Sequence, residues 1–253
     1  MAFKRPGVRI SLPPPLSTVS TLIKGIMFDL DFSQFPEPGL YLLLPDGEVL
    51  ALTHSVIEAK TREMLDDPEK IPDHVKAAAV YKPCDVCPMR DTAEICHAIM
   101  PALPFFDDMD RYMSYDTATA VYREDEDDVF VLSHGQMSDA LQFIAVLSLI
   151  HYCELGQEYR RFFVGVTPIM PVNKIGRVVF QNILMEYRGD LTRVEKIIKT
   201  MSHNILHTAQ CQVARLNLIS RRDAVINAFV NAELIFQYVN KELMFYSTPK
   251  KSN

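Results

Sequence analysis

The 253-residue sequence has only nine glycines, and glycine-rich phosphate-binding loops are missing from it. A long hydrophobic run is missing too. The longest apolar stretch, residues 140–153, is interrupted by polar side chains and is shorter than the roughly 20 residues that cross a bilayer. The N-terminus has no continuous apolar segment before its prolines, so we expect no secretory signal. These absences predict a cytoplasmic protein with no membrane span.

Complete catalytic motifs are also missing. The sequence Asp29-Leu30-Asp31 resembles the D-x-D of aspartyl-phosphate phosphohydrolases, but Ser33 and Gln34 follow where that family has threonine and an apolar residue. The acidic run 124–128 lacks the alternate spacing and central glycine of a calcium loop, which favours a solvated hairpin turn. The pair Ser133-His134 has no nucleophile elbow around it. The sequence therefore favours a non-catalytic protein.

Charge is unevenly distributed along the chain. Residues 1–133 carry 12 Lys and Arg against 23 Asp and Glu, a net charge of −11, whereas residues 134–253 have a net charge of +5. This asymmetry predicts that the halves attract each other, within one chain or crosswise in a dimer. The acidic half lacks the clustered positive charge that phosphate contacts require, so nucleic acid is not an expected partner.

The residue pattern predicts an α+β fold. Alternating apolar residues and turn signals predict antiparallel hairpins in the N-terminal half, with strands at residues 28–32, 40–44, 48–52, 117–122 and 129–132. Helices are predicted there at residues 55–65 and 92–100. We divide the chain into an acidic region 1–133 and a helical-bundle region 134–253, or one compact domain that contains both.

The C-terminal half has helical periodicity almost throughout. Capping boxes at Ser133–Gln136 and Thr192–Glu195 and stop signals at Gly156 and Gly189 predict four helices. Their expected ranges are 134–155, 171–188, 192–218 and 221–246. The first is apolar nearly all round, which predicts a buried helix.

Three of the five cysteines lie close together in the stretch PCDVCPMRDTAEICH. Cys84 and Cys87 form a C-x2-C loop, and Cys96 is expected early in the next helix, so three thiolates can reach one tetrahedral ion. His97 is a candidate fourth ligand, although neighbouring helical residues point about 100° apart. The expected metal is zinc, with an iron–sulfur cluster as the alternative. Buried structural thiols and a dithiol redox pair remain open.

A second constellation places His203, His207 and Cys211 at i, i+4 and i+8 of one predicted helix. At 100° per residue this line points away from the apolar stripe of that helix, so we expect another part of the protein or a partner to cover it. Asn204 stands where the glutamate of an H-E-x-x-H zinc motif would be. A polar packing face is the favoured interpretation, and a second metal or ligand site is the alternative.

Together these patterns predict a cytoplasmic zinc-binding protein that acts as a regulatory or scaffolding module. A protein partner, or a second copy, is expected to bind the helical half. The first rival is a redox protein or metalloenzyme that uses Cys84, Cys87 and Cys96. The second is a metal-free interaction protein.

Overall fold

The computed structural model describes residues 8–10, 31–67, 69, 71–80, 84–92, 96–123, 130–168 and 170–247. These residues form an α+β fold, with an antiparallel sheet from the N-terminal half and a helical bundle from the C-terminal half, as predicted. Among the described residues, none of the helices combines the length and the hydrophobicity that crossing a membrane requires.

The described strands form a single sheet in the order β1-β5-β4-β2-β3. Their bounds are Val8–Ile10 for β1, Gly39–Leu43 for β2, Val49–Thr53 for β3, Thr117–Arg123 for β4 and Phe130–Gln136 for β5. Strands β2 to β5 pair antiparallel, and β1 pairs parallel with β5 at the edge. The sequence patterns did not predict β1.

The β2–β3 hairpin is confirmed, with Gly47 at φ 89° in its turn. The β4–β5 pair is confirmed as well, and its acidic turn lies outside the described residues. Residues 28–30 of the predicted first strand also lie outside the described residues. The rest of that strand is wrong, because Asp31 caps a 3₁₀-helix, Phe32–Gln34, by accepting from the Ser33 N–H at 3.0 Å.

The described α-helices are α1 (His54–Asp66), α2 (Asp73–Val80), α3 (Phe106–Met109), α4 (Met137–Leu147), α5 (Glu154–Gln157), α6 (Val172–Glu186), α7 (Leu191–Leu216) and α8 (Ala224–Ser247). Further 3₁₀-helices span His97–Ile99, Leu103–Phe105 and Arg160–Phe163, and a π-helix spans Ser148–Tyr152. The predicted helices at α1, α6, α7 and α8 are confirmed within a few residues.

The predicted start of the first C-terminal helix is wrong. Ser133 to Gln136 belong to β5, and α4 begins at Met137 with no side-chain cap from Gln136. The reason is long-range pairing, because β4 lies opposite these residues and hydrogen-bonds to them. A cross-strand contact between Thr119 Oγ1 and His134 Nδ1, at 3.0 Å, adds to the ladder. Sheet formation thus overrides the local capping signal.

The predicted end of that helix is also wrong. Helix α4 continues directly into the π-helix. The backbone then becomes extended at Cys153, with φ −82° and ψ 123°. Gly156 packs so tightly under this turn that a Cβ atom there would lie 1.5 Å from the Leu149 carbonyl oxygen. The chain can fold back at this point because the residue is glycine.

Helix α8 is the centre of the bundle, since it packs against α4, α6 and α7. The predicted apolar stripe of α7, with Val194, Ile198 and Ile205 among its members, is fully buried. The predicted capping box at Thr192 is wrong. Asp190 caps α7 instead, by accepting from the Arg193 N–H at 3.2 Å.

The two halves share one continuous group of buried apolar side chains, which runs from Leu40 in the sheet to Val239 in the bundle. Helix α4 lies between the sheet and α8. Among the described residues, the ion pair that joins the two halves is His97–Glu154, at 3.9 Å between Nδ1 and Oε1. Apolar burial, more than paired charge, therefore holds the halves together.

Candidate functional site

The C-x2-C loop forms a closed turn. The Cys87 N–H donates to the Cys84 carbonyl at 3.0 Å, which places both residues on one short bend. An ion pair between Arg90 and Asp85, at 3.1 Å, spans the same loop. Both cysteines are half-buried. The loop therefore presents two neighbouring thiols to the body of the protein.

The backbone conformation at Cys96 differs from the predicted one. The predicted helix at 92–100 is wrong in its described part, because Cys96 is extended (φ −70°, ψ 113°) and only the 3₁₀-helix His97–Ile99 follows it. Its N–H donates to the Ala79 carbonyl at 3.2 Å, at the end of α2. Its Sγ accepts from Gln212 Nε2, on α7, at 3.3 Å. Cys96 thus faces α7.

Cys211 and Cys84 meet side chain to side chain, and their thiol groups hydrogen-bond. Cys211 lies on α7 one residue before Gln212, so α7 contacts both the C-x2-C loop and Cys96. The cysteine of the second predicted constellation therefore belongs to the first one. The two sequence patterns converge on one location.

Cys153 is the residue that the sequence patterns missed. It follows the π-helix, is 7% exposed, and is close enough to Cys96 and Cys87 for their charges to interact. Burial raises the pKa of the Cys153 thiol to about 11. The signal in the sequence was its position at the end of the longest apolar run. All five cysteines of the chain therefore gather at one place, and we call this group the thiol cluster.

The electrostatics of the thiol cluster favour one thiolate. The hydrogen bond from Cys84, together with the nearby Arg215 guanidinium, lowers the pKa of Cys211. The same contact with Cys211, together with burial, raises the pKa of Cys84. Arg215 is 1% exposed and donates to the Ala78 and Ala79 carbonyls at 2.8 and 3.1 Å. A fixed buried cation therefore stands beside the most acidic thiol.

Gln212 brings a polar group to the same region. It is 1% exposed, and its Nε2 points at the Cys96 sulfur. Its Oε1 has no hydrogen-bond partner among the described residues. The side chain of Gln212 thus connects α7 to Cys96.

The three histidines that were predicted as possible metal ligands make other contacts. His97 pairs with Glu154, and its side chain is 53% exposed. His203 and His207 contact each other, with ring centroids 4.5 Å apart, and His203 is exposed. Asn204, between them, donates to the Tyr159 hydroxyl at 2.8 Å. Of the predicted line, Cys211 contacts Cys84 and the two histidines contact each other, and a ligand shared by all three stays a prediction.

Within the described ranges, no three His, Cys, Asp or Glu side chains already stand in a group that could hold a metal ion. The five thiols surround a common region without forming ligand geometry in it. The chain matches no protein-family model, no curated protein and no solved structure. The thiol cluster is therefore the feature from which a function has to be argued.

Proposed function

We propose that the thiol cluster binds one zinc ion and that the protein is a cytoplasmic regulatory or scaffolding module without catalytic activity. The observation that carries the proposal is the gathering of all five cysteines from four separate segments of the chain. Cysteines that merely fill an apolar core have no reason to meet one another.

The donor set suits zinc. Zinc binds thiolate sulfur at about 2.3 Å in tetrahedral geometry, so two zinc ligands lie roughly 3.8 Å apart. A hydrogen-bonded pair of thiols has a similar sulfur separation, and Cys84 and Cys211 form such a pair. Zinc ligands must be deprotonated, and the Arg215 charge stabilises a thiolate at Cys211.

The remaining ligands come from nearby sulfurs. Cys87 shares the turn of Cys84, and Cys96 or Cys153 supplies the fourth. A cysteine has one rotatable bond ahead of its sulfur, and one rotamer step moves that sulfur by about 3 Å. In this proposal, side-chain rotation brings the sulfurs to one ion. His97, paired with Glu154, is replaced in this proposal by a cysteine.

A structural role follows from where the ligands lie. The C-x2-C loop belongs to the N-terminal half and Cys211 to α7, so the ion would join the loop to the bundle. The free energy of metal binding would then stabilise the loop. A scaffolding role is supported by the end of α8, where Met244, Phe245 and Tyr246 are 71%, 67% and 55% exposed. Such a patch suits a protein partner or a second copy of the chain.

A dithiol switch is the second candidate, and the direct contact between Cys84 and Cys211 favours it. Removal of two electrons by an oxidant such as hydrogen peroxide would join these sulfurs in a disulfide, with loss of both thiol protons and release of water. An iron–sulfur cluster is the alternative cofactor, because it also takes thiolates.

Elemental analysis of protein purified without chelator tests the proposal. We expect about one zinc per chain and a colourless solution, with loss of the metal in Cys87→Ser. Broad visible absorption, together with iron in the elemental analysis, would show that the cofactor is an iron–sulfur cluster instead of zinc. A folded, metal-free wild-type protein with titratable thiols would overturn metal binding, and disulfide formation between Cys84 and Cys211 under peroxide would then support the switch.

A further inference from the structure

A cleft of about 630 Å³ opens between α4, the π-helix and the segment that follows α5. Its volume lies within the range of small-molecule binding sites. The π-helix forms part of its wall through Ile150 and His151. A single π-helical turn costs regular hydrogen bonding and occurs often at functional sites. The cleft is separate from the thiol cluster, and the following inference does not rest on the zinc proposal.

The wall of the cleft is mainly apolar. Phe143 and Leu147 come from α4, Ile150 from the π-helix, and Phe163 and Val166 from the opposite side. Ile150 and Phe163 are already buried, whereas Phe143, Leu147 and Val166 are partly exposed, and an aliphatic or aromatic body would cover those three. Hydrophobic burial would therefore supply affinity but no orientation.

Orientation can come from the charged side chains of the cleft. Arg161 is occupied, since it donates to the Glu158 carbonyl at 2.8 Å, lies 3.8 Å from the Glu186 carboxylate and stacks over Phe162. Arg160 differs. Within the described part of the chain, its guanidinium has no hydrogen bond and no carboxylate partner, and it is exposed at the rim.

Among the described residues, the acid of the cleft, Glu158, forms no ion pair with Arg160. Glu158 hydrogen-bonds to the hydroxyl of its neighbour Tyr159. His151, on the π-helix, also lines the cleft and lies close enough to Arg160 to feel its charge. Its imidazole therefore offers a hydrogen-bonding group near Arg160.

We propose that this cleft binds an amphipathic carboxylate, that is, a small molecule with an apolar body and one anionic head group. The body lies against Phe143, Leu147 and Val166. The head group pairs with Arg160, whose planar guanidinium matches a carboxylate in two parallel hydrogen bonds. His151 offers one further hydrogen-bonding group.

Isothermal titration of the full-length protein with sodium octanoate tests this. Octan-1-ol, which has the same chain length without the charge, is the matched ligand. We expect saturable one-to-one binding of octanoate that is tighter than that of octan-1-ol. Arg160→Gln should weaken octanoate binding roughly tenfold and leave octan-1-ol binding unchanged. Arg221→Gln is the control variant, because it removes an exposed cation that does not line the cleft. It should change neither affinity.

A second variant checks the location without removing the cation. Leu147→Glu places a carboxylate on the half-buried wall of the cleft and should weaken octanoate binding by like-charge repulsion. Equal affinity for octanoate and octan-1-ol would overturn the proposal. So would an unchanged octanoate affinity in Arg160→Gln, or the absence of saturable binding in the folded wild type.

Discussion

Cys211, on α7, hydrogen-bonds through its thiol to the thiol of Cys84 in the C-x2-C loop. The two residues lie in opposite halves of the chain, and each belongs to a sequence pattern that pointed to a site of its own. Their contact makes these patterns one cluster. It also ties the described part of the C-x2-C loop to α7, the longest of the described helices.

Arg215→Met tests whether the buried guanidinium stabilises the Cys211 thiolate. The charge beside Cys211 helps to lower its pKa, so its removal should raise that pKa by about one unit. Alkylation of reduced, metal-free protein across a pH series, followed by peptide mass spectrometry, reports it. Arg90→Met, which removes an exposed cation paired with Asp85, is the control. An identical alkylation profile for Cys211 in Arg215→Met and the wild type would contradict the electrostatic account.

Gly156→Ala tests the close packing beneath the π-helix. The added methyl group would overlap the Leu149 carbonyl oxygen, and backbone cannot move aside without disturbing Cys153. We expect the free energy of unfolding to fall by about 3 kcal/mol or more, measured by urea denaturation. Gly135→Ala is the matched control, since nothing lies within 4 Å of its Cβ position, and it should stay within about 0.5 kcal/mol of the wild type. Equal stability of the two variants would contradict the close packing of Gly156 against Leu149.

His151 should make stability depend on pH. Burial, with help from Arg160 and His54, lowers its pKa from 6.5 to about 4, so the folded protein resists protonation. Its contribution is present in full above pH 6.5 and is lost as pH falls from 6.5 towards 4, by roughly 1 to 2 kcal/mol, because water screens this half-buried ring. Denaturant unfolding at several pH values should show this slope in the wild type and a shallower one in His151→Gln. The same slope in both proteins would assign the acid sensitivity to other groups.

The sequence predicted the elements that local patterns determine. The β2–β3 hairpin needs little beyond its turn glycine, and the apolar stripe of α7 is readable from residues such as Ile198. Helix α2 was missed although Pro72-Asp73 followed by an alanine-rich run is a helix-start signal. Asp190 in place of Thr192 shows that several residues near a helix start can serve as its cap.

The remainder depends on contacts that local patterns do not contain. The local sequence around Gln136 predicts the start of a helix. In the structure β4 lies opposite Gln136, and pairing across the sheet makes it a strand residue. The candidate site also depends on contacts between distant parts of the chain. The C-x2-C loop was visible from spacing, but Cys153 and Cys211 join it only because the bundle folds back on the sheet. His97 was proposed as a ligand because of its position next to Cys96. Its Nδ1 lies 3.9 Å from the Glu154 carboxylate, and its role as a ligand stays a prediction.

The zinc content of Cys211→Ser, beside that of His207→Ala, tests the central claim most directly. The two residues are one helical turn apart on α7; Cys211 contacts Cys84, whereas His207 contacts His203. Protein purified without chelator and analysed for metal should contain about one zinc per chain in the wild type and in His207→Ala, and far less in Cys211→Ser with the fold retained. Full zinc in Cys211→Ser, or none in the folded wild type, would contradict the account.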